Sequence, residues 1–318
     1  MRGSRTLGLL GLYVGAQIVG LLLAAPFRMA GLATTSNPNS AIDPIYILVL
    51  IVAAPLGIIW VSRRSGGFAA IRGLLLVGIA GSLDLTLSTA LSAFLPSGYF
   101  APAGAGEAYF LGLPIGAAIA VLALLALIME PQWYVVDAVA FVAGGALIAL
   151  LGISFGILPS LILLSALAVY DAIAVYVTKH MISLADVVTE MKLPILMVMP
   201  DSADYDYTQQ GSFKAQRAQP VEQREAVFMG LGDVVIPGTL VASAFVWLPP
   251  TLMDGIGANL IAALAVMGGS LVGYAILMWR VSSGNPQAGL PFLNGGAILG
   301  YILAYVLLFH SFSLGISL

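Results

Sequence analysis

The sequence predicts an all-α polytopic membrane protein with nine transmembrane helices. Three observations carry this reading. Long apolar runs recur along the chain, charge is scarce, and the basic residues cluster in alternate connections between the runs. Of 318 residues, 60% are apolar and 8% are charged, whereas an average soluble domain is about 25% charged. Mean hydropathy is +1.03. So few charges cannot cover a surface facing water, and the chain is therefore read as integral to a bilayer.

A crossing needs about 20 mainly apolar residues. Nine runs qualify: 6–27, 44–62, 71–95, 109–129, 134–153, 156–178, 226–247, 257–279 and 288–309. The first exceeds the apolar core of a usual signal peptide, and no clear cleavage site follows it. It is kept as a membrane helix. The fifth and sixth are divided at the punctuation Gly152, Ser154, Gly156 and Pro159, because together they are far too long for one crossing. The long connection 179–225 begins with the mixed stretch KHMISLADVVTEMKLPILMVMP and ends in the polar stretch DSADYDYTQQGSFKAQRAQPVEQREA. No tandem repeat and no separate soluble domain is visible. Residues 1–318 form one membrane domain, with helices 1–6 in 1–178, the loop in 179–225 and helices 7–9 in 226–318.

Basic residues concentrate in cytoplasmic loops. With the N-terminus inside, the inner segments hold Arg2, Arg5, Arg63, Arg64, Arg72, Lys179, Lys192, Lys214, Arg217, Arg224 and Arg280, and only Arg28 falls outside. That split supports an odd number of crossings, a cytoplasmic N-terminus, an outer C-terminus and a multi-pass protein of the cell membrane. No basic run suggests nucleic acid. The chain has no cysteine and two histidines, His180 and His310. Thiolate metal sites, a cysteine nucleophile and disulfides are excluded. With only two histidines, neither a multi-histidine metal centre nor a Ser-His-Asp triad within the membrane is expected. No cofactor and no metal is expected.

An aspartate at bilayer depth costs roughly 2.5 kcal/mol or more, so each acid within a span needs a reason. Asp84, Asp171 and Asp233 lie well within spans, and Asp137 lies near the inner end of the fifth. Ser82, Thr86, Ser88 and Thr89 surround Asp84, which reads as part of a polar helix contact. Asp137 reads as solvated near the interface. Asp171 lies eight residues before Lys179, and Asp233 eight residues after Glu225. At about 1.5 Å per residue, both would sit roughly 12 Å below the same surface. Ala168 and Ala174 flank Asp171, and Gly230 and Gly232 precede Asp233. Small residues let membrane helices approach closely. Two carboxylates a few ångströms apart share a proton, so one can act as base toward a water and the other as acid toward a carbonyl. Matched depth also fits a proton-coupled transporter or ion channel using the same aspartates.

The residues then resemble a known family. Tyr170-Asp171 in the sixth span and Gly230-Leu231-Gly232-Asp233 in the seventh look like the paired YD and GxGD signatures of the intramembrane aspartyl proteases, which include presenilin and signal peptide peptidase. The stretch YDAIAVYVTKHMISLADVVTE is similar to the presenilin segment leaving the sixth span, with its basic residue and amphipathic helix. The charge bias gives the presenilin orientation, and the compact form is that of an archaeal homologue. The family's third signature is Pro-Ala-Leu at the start of the ninth span. Here QAGLPFLN stands in its place: Ala288, Gly289 and Leu290 align with it, Pro291 matches the following proline, and the first proline is missing. The resemblance implies Asp171 and Asp233 as catalytic residues. It implies Tyr170, Gly230, Leu231, Gly232, Ala288, Gly289, Leu290 and Pro291 as residues that bind substrate or shape the site. Pro291 alone would equally suit a helix start.

The partner is then a transmembrane helix of another membrane protein, met within the lipid bilayer; a homo-oligomer is left open. A helix hides its peptide bonds in its own hydrogen-bond ladder, so the substrate must unwind. Its freed backbone groups need new partners, and pairing to an enzyme strand supplies them. Residues 193–200, LPILMVMP, form the extended candidate, and the backbone around Leu290 is a second.

Overall fold

The computed structural model describes residues 2–62, 64–94, 105–178, 194–202, 204–209, 225–253, 255–281 and 287–316. Among these residues lie nine α-helices: α1 Arg2–Met29, α2 Asp43–Ser62, α3 Gly67–Phe94, α4 Ala105–Met129, α5 Trp133–Ser154, α6 Ile157–Tyr176, α7 Leu231–Trp247, α8 Ala258–Val281 and α9 Leu290–Phe309. By length and composition α1, α3, α5, α6, α8 and α9 can each cross a membrane. The shorter apolar stretches Asp43–Ala54, Ile115–Met129 and Leu231–Trp247 belong to α2, α4 and α7. The amphipathic helix expected directly after Lys179 lies outside the described residues.

Helices α5, α6, α7, α8 and α9 carry most of the interior. Helix α7 is buried almost throughout from Val234 to Ala244, although a helix buried on all sides must find partners on every face. Its partners are α1, α5, α6, α8 and α9. Helix packing in a bilayer lacks the hydrophobic drive it has in water and depends on close approach. The α8–α9 contact shows how close: a methyl placed on Gly269 would collide with the Gly296 carbonyl, and one on Gly300 with the Ala265 carbonyl. Helices α5 and α6 are separated by Phe155 and Gly156, and the Gly156 N–H donates to the Pro38 carbonyl at 2.7 Å.

The seventh span departs from expectation. Residues Ala226–Gly230 form a strand, β2, and the helix begins only at Leu231. Continuous apolar character cannot separate a short strand from a helix. Here Gly230 and Gly232 weaken helix at its start, while Val227 and Phe228 favour strand. The partner is β1, Leu196–Pro200, paired antiparallel with Met197 opposite Met229 and Val198 opposite Phe228. A second small pair joins β3, Leu252–Met253, to β4, Ile256–Gly257.

Antiparallel pairs alternate between residues that exchange hydrogen bonds and residues that face outward. The Leu231 N–H donates to the Ile195 carbonyl and the Asp201 N–H to the Glu225 carbonyl, each at 2.8 Å. By this alternation Met197 and Met199 exchange bonds with β2. Leu196, Val198 and Pro200 turn their backbone groups away from it, and so do Ala226, Phe228 and Gly230 on the other strand. The side chains alternate as well. Met197 packs with Leu9, Tyr13 and Met229; Val198 packs with Ile71, Val136 and Tyr207.

The two ends of the bundle are tied differently. At one end, Arg28 donates to the Val246 carbonyl at 3.1 Å and stacks over the Trp247 ring at 4.6 Å. The Trp247 indole donates to the Gly152 carbonyl at 2.9 Å, and the Thr34 and Thr35 hydroxyls reach Ser154. The C-terminal ends of α1, α5 and α7 therefore lie together. The single basic residue outside the inner set is accounted for by this cap on the last carbonyls of α7. At the other end, Arg5 pairs with Asp201 at 3.0 Å. Gln132, just before α5, donates to Asp206 at 3.1 Å and accepts from the Tyr207 N–H at 3.3 Å. Hydrogen bonds from the Thr208 hydroxyl, the Gln132 amide and the Thr208 N–H hold the Asp206 carboxyl down to about 2. It is thus an ionised acceptor at neutral pH.

Candidate active site

The GLGD stretch works as a helix start. Gly230 is the N-cap of α7, in extended conformation with φ −65° and ψ 136°. Asp233 is then the third helical residue, and its carboxyl takes a hydrogen bond from the Gly230 backbone. That is the acidic half of a capping box, in which the side chain at this position reaches back to the N-cap N–H. The positive end of the helix dipole also favours a carboxylate here. Because Gly230 faces outward on β2, the outer edge of that strand runs directly into Asp233.

Asp171 is held by a second helix start. It is buried on α6, at 6% exposure. Its Oδ2 accepts the Leu290 N–H at 3.0 Å, and the Gly289 backbone donates to the same carboxyl. Gly289 is the N-cap of α9, and Pro291 falls within the first two helical residues, where its missing N–H costs no bond. Gly289 also faces the other acid: a methyl added to it would stand 3.3–3.4 Å from the Asp233 carboxyl. Both carboxylates thus converge on one dipeptide, and they interact electrostatically. The three sequence signatures meet at this point.

The remaining expected residues surround it unequally. Ala288 is fully buried, and its N–H donates to the Tyr176 hydroxyl at 3.2 Å, which in turn donates to Gln287 at 3.0 Å. Tyr170 is half-buried and packs on the α6–α7–α9 core. Leu231 packs toward Gly144 of α5, whereas Gly232 is exposed with open space at its α-carbon. Tyr176 was not singled out from sequence. Its place six residues below a catalytic-type YD pair, facing the ninth helix, is set by tertiary packing alone.

Two sequence expectations change. The depth reckoning for Asp233 assumed helical rise from Glu225, but five of those residues are strand, at about 3.3 Å each. The carboxylates meet through the chain's fold and not through equal helical offsets. Asp137 is not solvated. It is buried at 5% exposure, and its Oδ1 accepts the Val198 N–H at 2.7 Å. Residues 194–202 and 204–209 fold back over the start of α5 and cover it there. Asp84 accepts the Ser88 hydroxyl at 3.0 Å and packs against Gly116 of α4.

Residues 10–310 match the family described as signal-peptide peptidase, presenilin aspartyl protease. The chain belongs to that family. Two crystal structures of a presenilin family intramembrane aspartate protease are similar to it. The one in space group C222 has 29% identity and a TM-score of 0.66, over 95% of this chain and 99% of that one. The one in P2 has 30% identity and a TM-score of 0.64, over 95% and 97%. No curated protein matches. The protein is an intramembrane aspartyl protease, a multi-pass membrane hydrolase whose substrates are membrane proteins within the bilayer. That decides against the carrier reading.

Proposed function

We propose that Asp171 and Asp233 are the catalytic dyad and share one proton around a water. The single observation that carries this is their convergence on Gly289 and Leu290. One carboxylate takes a proton from the water as its oxygen attacks the scissile carbonyl carbon. The protonated partner hydrogen-bonds to, and then protonates, the carbonyl oxygen. Collapse of the tetrahedral diol breaks the C–N bond: the amine leaves with the proton gained by the first carboxylate, and a diol hydroxyl returns its proton to the second, which restores the singly protonated pair. Tyr170, Gly230, Leu231, Gly232, Ala288, Gly289, Leu290 and Pro291 shape the cleft. One chain supplies both acids, so this reading requires no second copy.

The substrate lies extended along the outer edge of β2. The sequence points to β1 for this role, but β1 has β2 on one edge, and on the other Val198 is bound by Asp137 and Pro200 has no donor. The edge of β2 ends at the Asp233 carboxyl. A detergent assay of cleavage of a transmembrane peptide, with Asp171→Asn and Asp233→Asn as controls, tests the dyad. Activity in either correctly folded variant rules it out.

The chain crosses the cell membrane nine times as one domain, with the N-terminus and loop 179–225 cytoplasmic and the C-terminus outside. The basic-residue bias supports this. So does the gathering of the C-terminal ends of α1, α5 and α7 opposite the ends joined to loop 179–225. Leu248, just after α7, also lies beside Gly315, just after α9. A cysteine introduced at Ser212 then reacts with an impermeant thiol reagent only from the cytoplasmic side, and one at Ser317 only from outside. The reverse pattern overturns the orientation.

A further inference from the structure

We propose that Asp137 is a positioning residue that sets where the β1–β2 pair stands against the dyad, and hence which peptide bond of a substrate is cut. This rests on the reading of Asp171 and Asp233 as the dyad. Asp137 touches neither carboxylate and is not catalytic. Its contact is with the middle of β1.

The geometry is specific. Val198 is the central residue of a five-residue strand. The strand register turns its N–H outward, away from β2. Among the described residues no third strand lies at that spot; the carboxylate of α5 does, at 2.7 Å. Asp137 Oδ2 is also buried and has no hydrogen-bond partner among the described residues. A buried carboxylate is an expensive way to satisfy one amide. What it supplies is a short hydrogen bond of defined length from helix to strand.

Two further ties follow this one along the chain. Arg5 of α1 holds Asp201, one residue past the strand. Gln132, at the head of α5, holds Asp206 and Tyr207. Of the three, only Asp137 grips the strand itself. The strand in turn fixes β2 by paired hydrogen bonds, and β2 leads without a break into Gly230 and Asp233. A change in the height of β1 is thus passed along backbone to the dyad and to the edge that receives substrate. Loss of the grip lets the strand pair settle at more than one height, so that neighbouring substrate bonds reach the carboxylates.

The test uses the full chain in detergent with a transmembrane peptide substrate. It reads product masses, kcat, KM and thermal stability for Asp137→Ala, Asp137→Asn and Val198→Pro. Asp137→Ala removes the acceptor. Val198→Pro removes the donor while leaving the Met197 and Met199 ladder bonds in place. In both, cleavage spreads from the parent's bond to adjacent bonds, and kcat falls roughly tenfold while KM changes less than about twofold. Asp137→Asn keeps the acceptor and restores the parent's product masses. Where the first two variants do not fold, Asp137→Glu is read instead, since its longer arm moves the strand and shifts the masses. The parent's masses in folded Asp137→Ala, Val198→Pro or Asp137→Glu overturn the proposal, even if the variant is less stable. If Asp171→Asn and Asp233→Asn are inactive in the same assay, only the role of Asp137 has failed. If either is active, it is the dyad that has failed.

Discussion

Asp84 on α3 and Asp171 on α6 are the same residue type in the same kind of apolar helix, yet they are held in opposite ways. Asp84 is half-buried and takes its hydrogen bond from Ser88, one turn along its own helix. That bond asks nothing of the rest of the fold. Asp171 is buried and takes backbone donors from the first residues of α9, more than a hundred positions away. Asp233 likewise sits at the start of a helix, with the Gly230 backbone as donor. Burial does not separate the proposed working acids from the others, since Asp137 is buried like Asp171 while Asp233, like Asp84, is only half-buried. The source of the donors does. A helix N-terminus offers fixed N–H groups that survive a change of charge on the acid, whereas a hydroxyl on the same helix serves packing.

The largest effect expected from this contrast is at the dyad. On the proposed mechanism Asp171→Asn and Asp233→Asn each remove a group that both gives and takes a proton, and general acid–base catalysis contributes roughly 10²–10⁴-fold per role. Cleavage should fall by at least about a thousandfold in each. Both variants should fold, because an asparagine oxygen still accepts the Leu290 N–H in one case and the Gly230 N–H in the other. In the parent, activity against pH should be bell-shaped, since the singly protonated pair is the working form and titrates as a unit. Initial rates over a pH series, with thermal unfolding as control, check all three statements. A monotonic profile would refute proton sharing.

Next in size is the dipeptide on which both acids converge. A methyl on Gly289 stands 3.3 Å from Asp233 Oδ1, so the carboxyl must shift by tenths of an ångström. A 1 Å displacement can cost about a hundredfold in rate. Gly289→Ala should therefore lower kcat about tenfold and Gly289→Val about a hundredfold, with little change in thermal stability. Equal loss at Gly295, which has open space around it, would mean that α9 tolerates no added side chain at all and would remove the meaning of the contact.

A smaller effect is expected at the sheet. Met197→Pro deletes a ladder hydrogen bond to β2, since Met197 belongs to an exchanging pair and proline has no N–H. Cleavage should fall on the order of tenfold, with membrane insertion kept. Parent-like activity would detach the β1–β2 pair from catalysis and leave the dyad as the whole site.

How much of this was readable beforehand follows from what each signal depends on. Tyr170-Asp171 and Gly230 to Asp233 could be read because the chemistry is written in adjacent residues. The stretch QAGLPFLN could be read by resemblance, and the structure adds the reason: Gly289 and Leu290 are donors at a helix start. The strand at Ala226–Gly230 was hidden inside an apolar run that suits either secondary structure. A signal did exist. LPILMVMP and AVFMG bracket the polar loop, each short, apolar and ended by proline or glycine, which is the pattern of a paired strand on either side of a connection. Asp137 was unreadable for a different reason. Near a span end it looks solvated, and only the return of β1 over α5 buries it.

The smallest effect is the one that holds the comparison together. Asp84→Asn keeps an oxygen for the Ser88 hydroxyl and adds an N–H₂ group that can reach neighbouring helix carbonyls. The packing of Gly116 against the side chain is kept, since asparagine has nearly the same volume. No backbone donor from a distant helix is lost, so nothing is transmitted toward α6, α7 or α9. Cleavage should stay within about threefold of the parent, and stability should shift by less than about 1 kcal/mol, as for a single helix–helix hydrogen bond in a membrane. Asp84→Leu should then cost more stability than Asp84→Asn, because Ser88 loses its acceptor and Gly116 meets a branched carbon chain. Measured cleavage and unfolding for the pair decide the matter. A folded but inactive Asp84→Asn would show that an acid held by a side-chain hydroxyl can also serve the reaction, and backbone donors at a helix start would no longer tell the two kinds of carboxylate apart.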